Sequence, residues 1–452
     1  MRREINLTEG NIIKTLTRLA FPIMGTSFIQ MAYSLTDAMW LGRLSTNAVA
    51  AAGTGGFFLW LGAALIMITQ IGVGVSVSQS YGRSDIKSAR EYITVGLLMD
   101  IIIGLVYGFS LYTFNSQIIS FFNLGDPEVI GMAQSYLRII GMGIIFHFLN
   151  PVLSTTLNSS GDSMTPFKVN TIGLVANMIL DPLLIFTFGL GIEGAAIATI
   201  VSQMAVTVIF LVIGKRINAL YSTFKIFSMP DLGKAKRILK LGIPPSTQMG
   251  LHAIISIVLT RIIAGYGPVA VAVQTIGSQI ESISWMTSEG FAAAISAFVG
   301  QNYGANKISR IKEGYYKGIK VLGTFGVFAS LLLIFAARPL FTIFTPEDPR
   351  AIAEGIIYLR ILGLSQLFMS IEIGTAGAFN GLGKTIPPTI TGVTLNALRI
   401  PAAILLSTYT VLGLSGIWWA ISGSSILKGT ILFIWYQKEL HKLKEVRLIS
   451  DF

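Results

Sequence analysis

Long apolar runs separated by short polar joints dominate this chain. Twelve can be marked, near 17–41, 48–74, 92–113, 130–153, 166–188, 191–213, 239–263, 270–297, 316–337, 354–377, 386–408 and 412–435. A helix needs roughly 20 apolar residues to cross a bilayer, and these runs have that length. Helices also satisfy their own backbone hydrogen bonds, as a spanning segment must. The pattern predicts an all-α polytopic membrane protein with twelve transmembrane helices.

Polar positions set the topology. Basic residues cluster in Arg83–Arg90, Lys215–Lys240, Lys307–Lys320 and Lys438–Arg447, between or after the apolar runs. The loop near 114–129 carries Asp126 and Glu128 and no base. That alternation is the positive-inside pattern, and it predicts cytoplasmic N- and C-termini in a multi-pass protein of the cell membrane. The net charge of +11 is therefore read as cytoplasmic loops rather than a nucleic-acid surface. The first fifteen residues lack the apolar core of a secretory signal, so the first span is expected to direct insertion.

Composition agrees. The chain is 52% hydrophobic and 12% charged, with mean hydropathy +0.69. A soluble domain carries about 25% charged residues. There are no cysteines, which excludes disulfides and thiolate metal sites, and the three histidines, His147, His252 and His441, are too few for a histidine-rich one.

An internal repeat organises the runs. LAFP at 19–22 recurs as LGIP at 241–244, QSYG at 79–82 as QNYG at 301–304, and YLRIIG at 136–141 as YLRILG at 358–363. LNSSG at 157–161 recurs as FNGLG at 379–383, and LGIEG at 190–194 as LGLSG at 412–416. All five pairs share an offset of 222 residues. The reading is two pseudo-symmetric six-helix lobes: residues 1–213, a basic cytoplasmic connection at 214–238, and residues 239–452 with the C-terminal tail. Six spans per lobe is an even number, so both lobes enter the membrane in the same sense. A parallel repeat of this kind places a substrate cleft between lobes near the midplane.

Candidate chemistry lies in the first lobe. The stretch Leu19–Gly42 contains no Lys or Arg, and its one carboxylate is Asp37. An intramembrane carboxylate costs about 2.5–3.5 kcal/mol on insertion scales and marks function. In the fifth span, NTIGLVANMILDPLLIF, Asn177 and Asp181 are four residues apart and share a helix face. Pro182 removes a backbone donor beside the carboxylate. The sixth span supplies Thr199. Asp37, Asn177, Asp181 and Thr199 offer hard oxygen ligands for Na⁺, and two carboxylates close together in low dielectric also suit a shared proton. At the repeat offset Asp37 corresponds to Leu259 and Asp181 to Ala403, so the cation site is expected to be asymmetric.

The second lobe carries Arg261, Glu281, Glu289, Glu372, Arg399 and Lys428 in or near its spans. Glu281 and Glu372 could face a substrate cleft, or Arg399 could neutralise one of them. Arg261 and Glu289 are expected to snorkel from span ends. Asp100, in the third span, is expected nearer an interface. Tyr33, Trp40, Met67 and Trp285 are candidates to line a greasy cleft. The glycine-rich segments at 53–56 and 72–74 lack the Lys-Ser/Thr of a phosphate loop and read as helix-packing surfaces. No nucleophile–base set appears, so no enzyme is expected, and no cofactor beyond a coupling ion.

With these motifs in place, VGQNYGA at 299–305, LTDAMWLG at 35–42 and NMILDP at 177–182 resemble the multidrug and toxic compound extrusion (MATE) family across essentially the whole chain. The resemblance implies two six-helix bundles in a V. It also implies a monomeric secondary antiporter that exports organic cations or amphipathic drugs in exchange for H⁺ or Na⁺. In the DinF-like branch the first-lobe aspartates carry the ion, and the matching positions are Asp37, Asn177, Asp181 and Thr199. The NorM-like branch adds carboxylates in its seventh and tenth spans. Here His252 stands at the seventh-span position, while Glu372 lies near the tenth. The DinF-like branch is therefore favoured. A lipid-linked oligosaccharide flippase of the broader superfamily is the alternative, against which twelve spans and the first-lobe aspartates argue. A channel suits paired lobes with a one-sided ion site less well than an exchanger does.

Overall fold

The computed structural model describes residues 5–217 and 231–450. The first half runs α1 (Ile12–Leu44), α2 (Thr46–Gly82), α3 (Ile86–Thr113), a short α4 (Asn115–Ser120), α5 (Pro127–Ser160), α6 (Met164–Pro182) and α7 (Gly191–Ile217). The second half runs α8 (Leu232–Ala264), α9 (Pro268–Gly304), α10 (Ile308–Phe335), a short α11 (Ala337–Thr342), α12 (Pro349–Gly363), α13 (Gln366–Gly381), α14 (Ile386–Ala397), α15 (Arg399–Thr408) and α16 (Leu414–Ser450). The repeat offset survives in three dimensions: moving α2, α3 and α4 along by 222 residues lands on the printed bounds of α9, α10 and α11.

Among the described residues, ten helices are long and apolar enough to cross a membrane, and α12 with α13, bent by 48° at their junction, makes an eleventh. The twelfth expected span is α9. It has 37 residues, ample for a crossing, but Gln274, Gln279, Glu281 and Glu289 dilute its apolar character. Its counterpart α2 is among the apolar ten. The fold is MATE-like and all-helical through the described residues.

Local chemistry sets the helix ends. Ser45, Asp85, Asp126 and Asp348 stand at N-caps, and their side-chain oxygens accept from backbone N–H groups of the first turn. Those donors have no partner within their own helix, so each cap stabilises by about 1 kcal/mol. Pro127 and Pro349 follow two of these caps, where a missing N–H costs nothing. At Pro182 the helix does not stop: α6 passes into a π-helical turn at Leu183–Thr187. Widening the turn is one way to absorb a residue that cannot donate.

By contacts the chain forms two units. One joins the described residues before Leu7 to Phe21–Ser246, and the other joins Leu7–Ala20 to the described residues from Thr247 onward. The opening turns of α1 thus group with the second unit and those of α8 with the first. Most of the expected connection at 214–238 lies outside the described residues. In the first unit, one core gathers Tyr136, Leu137, Ile144 and Phe148 of α5 against α2, α3 and α7. A second is built on Val73, Ile93, Leu153 and Phe210. The second unit's core centres on Tyr358 and Trp418, whose rings meet edge to face at 4.8 Å. Backbones cross closely where glycines permit it. A Cβ added to Gly108 of α3 would sit 2.4 Å from the Gly141 carbonyl of α5, the close approach that small residues give membrane helices.

Candidate functional site

The first unit brings Asp37, Asn177 and Asp181 into one neighbourhood. Asn177 and Asp181 are both fully buried on α6. The Asn177 amide donates to Asp181 Oδ1 at 3.0 Å, across one helical turn. The Asp37 carboxylate of α1 lies within electrostatic reach of Asp181. The Trp40 and Phe186 rings, 6.2 Å apart, join α1 to the π-helical turn just past Pro182. The widened turn therefore packs on the helix that carries Asp37.

Helix α7 closes the group. Tyr33 lies one turn before Asp37 on α1, and its hydroxyl donates to the Thr199 carbonyl at 3.5 Å. It sits beside both Thr199 and Ser202. Tyr136 of α5 reaches the same acids and Tyr33 electrostatically. Of the expected ion ligands, Thr199 is thus placed by its backbone oxygen against Tyr33. Tyr33, one of the expected cleft residues, stands next to the carboxylates.

The oxygen inventory is the distinctive feature. Asp37 Oδ1, Asn177 Oδ1 and Asp181 Oδ2 are buried and make no hydrogen bond, and the Ser202 hydroxyl lies against Tyr33. Buried polar atoms are nearly always paired, and a group of unpaired ones calls for a chemical reason. Two carboxylates, an amide oxygen and a hydroxyl form a hard, anionic set. Such a set suits a proton or a small monovalent cation and lacks the soft donors that select transition metals.

The other expected residues are placed as follows. Met67 is half-buried on α2 of the first unit. Trp285 is exposed on α9 of the second. Glu281, also on α9, accepts from the Tyr358 hydroxyl at 3.1 Å and from the Gln366 amide at 2.8 Å. Glu372 on α13 pairs with Lys428 of α16 at 3.0 Å. Arg399, at the start of α15, donates to Ser424 and Ser425 of α16. His252 meets Asn396 at 3.3 Å. Arg261 and Glu289 are exposed. Asp100 is wholly buried, accepting from Thr69 of α2.

Two site residues escaped the sequence reading. Tyr136 opens the YLRI segment that repeats at 358, so the repeat itself was the available signal. Ser202 lies three residues past Thr199, about one helical turn on, but nothing in its surroundings singles out one serine in an apolar helix.

Comparisons with known proteins follow the same geometry. The model of the MatE family matches residues 22–183 and again 244–405. The two matches are displaced by the repeat offset. A probable multidrug resistance protein NorM of Thermotoga maritima is 28% identical over 94% of this chain and 92% of its own length. The multidrug export protein MepA of Staphylococcus aureus is 22% identical over 91% of each chain. The crystal structure of MATE in the bent conformation superposes with a TM-score of 0.90 at 23% identity, covering 97% of this chain and 98% of that one. With both halves of its sequence matched, over well more than half its length, this chain belongs to the MatE family.

Proposed function

We propose that this protein is a secondary antiporter of the DinF-like branch, exporting organic cations or amphipathic drugs in exchange for H⁺ or Na⁺. Its family consists of transporters, not enzymes, and its similarity to multidrug resistance and export proteins supports small amphipathic substrates. The observation that carries the reading is the set of unpaired buried oxygens on Asp37, Asn177 and Asp181. The second-half counterparts of the two aspartates, Leu259 and Ala403, are plain apolar core.

The mechanism is alternating access. Facing outward, the protein takes up H⁺ or Na⁺ between Asp37 and Asp181. The cation relieves the repulsion between two carboxylates within electrostatic reach of one another. With the repulsion gone, α1 repacks against α6 and α7, around Pro22 and Gly25, and drug affinity falls. The protein then turns inward, the ion leaves, and drug binds from the cytoplasm or the inner leaflet. Both termini lie on the cytoplasmic side. Coupling is reciprocal: a factor by which the ion weakens drug binding is the factor by which drug weakens ion binding.

The test is dye efflux from proteoliposomes holding the purified monomer, under a pH gradient alone and then a Na⁺ gradient alone. One of the two gradients is expected to drive saturable efflux. Equal downhill leak under both, with no counterflow, would sink the antiporter reading in favour of a channel.

A further inference from the structure

The repeat maps the proposed ion site onto the second half of the chain residue by residue, and this inference rests on that site. Asp37 corresponds to Leu259, Asp181 to Ala403, Ser202 to Ser424, Tyr136 to Tyr358, and Asn177 to Arg399. Where the first half carries two carboxylates and a neutral amide, the second half lacks both acids and has gained a fixed positive charge.

The second unit is built around that charge. Arg399 is 8% exposed. Its Nε donates to Ser424 Oγ at 2.5 Å and its Nη2 to Ser425 Oγ at 3.0 Å. The hydroxyl at the Ser202 position is thus the one that Arg399 holds, whereas Ser202 itself lies against Tyr33. Glu372 and Glu281 both lie within electrostatic reach of the guanidinium. Glu372 is already matched by Lys428 at 3.0 Å. Glu281 receives only neutral donors, Tyr358 and Gln366. In this cluster Arg399 is therefore the balancing charge left for Glu281. His252 of α8 also feels Arg399 and Lys428, and α10 turns the Tyr315 hydroxyl onto Thr375 of α13.

We propose that Arg399 is a resident cation. It fills, with a side chain, the second-half counterpart of the exchangeable ion's place, so that only the first half takes up an ion during transport. A guanidinium does not lose its proton in proteins, so this charge stays constant through a cycle in which H⁺ or Na⁺ comes and goes. Removing it leaves the half-buried Glu281 carboxylate with neutral donors and no balancing charge, a situation that favours uptake of a proton or another small cation. The ligand so created is a monovalent cation, Na⁺ or H⁺.

The test uses the full chain carrying Asp37→Asn and Asp181→Asn, so that the first-half site is silent. Thermal melting of the purified protein in detergent is followed in Na⁺ against K⁺ at constant ionic strength, and from neutral to acid pH. With Arg399 intact, Na⁺ is expected to give no shift. Adding Arg399→Asn is expected to create a cation-dependent rise in melting temperature, with Na⁺ in one arm or acid in the other naming the ion. Arg399→Lys keeps the charge and should create none, and Glu281→Gln added to Arg399→Asn should abolish it. No new cation response in Arg399→Asn, or an equal one in Arg399→Lys, would overturn the proposal. Should Arg399→Asn fail to fold, rescue by Glu281→Gln supports the proposal and lack of rescue refutes it. A Na⁺ response that persists with Arg399 intact, and that Glu281→Gln leaves in place, would point to a misplaced first-half site instead.

Discussion

Replacing Asp37 by Asn is expected to leave the protein folded and inserted but to stop ion-driven efflux. The two side chains have nearly the same shape, and the amide can still accept through one oxygen. What the substitution removes is the negative charge and the capacity to take up a proton. Asp37 is only half-buried and its Oδ1 has no hydrogen bond. No folded-state partner is lost, so the effect on stability should be small. The effect on transport should be large. A useful coupling between ion and drug is about 1–3 kcal/mol, a factor of roughly 5–150 in affinity. Without an ion at Asp37 that factor collapses to one, and a gradient no longer moves drug uphill. Dye efflux from proteoliposomes under the driving gradient should fall to the level of protein-free vesicles. Asp181→Asn should behave alike. Wild-type efflux in either variant would remove the residue from the ion site.

The second large effect is expected at a place with no chemistry. A Cβ added to Gly242 would lie 1.8 Å from the Ile68 carbonyl oxygen and 2.5 Å from its carbon. Gly72, one turn further along α2, makes the same kind of approach to the Ile238 carbonyl, at 2.5 Å. These are backbone atoms, which cannot rotate aside as a side chain can. Both contacts lie in the stretch where the start of α8 belongs to the first unit. Gly242→Val must push α8 off α2. Overpacking costs about 1–3 kcal/mol in ordinary cores and more when backbone blocks the way. Loss of monodisperse protein, or a large fall in melting temperature, is the expected outcome. Gly53→Ala is the control, because a Cβ there meets nothing within 4 Å. Equal stability of Gly242→Val and Gly53→Ala would show that the crossing tolerates bulk.

Much of this fold was legible in the sequence because a bilayer makes apolar runs into helices and the repeat counts them twice. The acids stood out for a related reason. Asp37 and Asp181 stand well inside runs whose only other charges, Arg18 and Lys168, sit at their starts, and the four-residue spacing of Asn177 and Asp181 fixes a shared face. Other features leave no such trace. Apolar length marks only the bilayer portion of a helix. α2, expected over 48–74, continues through the polar VSQSYG to Gly82, since nothing there stops it. The bend between α12 and α13 was hidden, because the matching segment α5 runs unbroken through Pro151. The π-helical turn after Pro182 was invisible too: proline warns of disruption but not of its form.

Partners across helices are the least legible of all. Pairing of Glu372 with Lys428, 56 residues further along the chain, depends on the rotation of α13 and α16 about their own axes. Hydropathy does not report rotation. Tyr136 and Tyr358 are an instructive middle case. Both occupy the same place in the repeat, both are buried, and both fill the space opened by a glycine, Gly55 for one and Gly277 for the other. Each also lies near carboxylates. The sequence displayed the tyrosines in the YLRI pair, while the acids they approach come from different helices.

The central claim is that drug and a small cation exclude each other through Asp37 and Asp181. Its most direct measurement is the release of bound cation on adding substrate to purified protein in weakly buffered, low-salt detergent solution, read by a pH dye and by a Na⁺-sensitive probe. Release of H⁺ or Na⁺ that saturates with substrate is predicted for the unaltered chain. The Asp37→Asn, Asp181→Asn double variant should bind the same substrate and release nothing. Substrate binding by the unaltered protein with no cation released, or the same release from the double variant, would contradict the account.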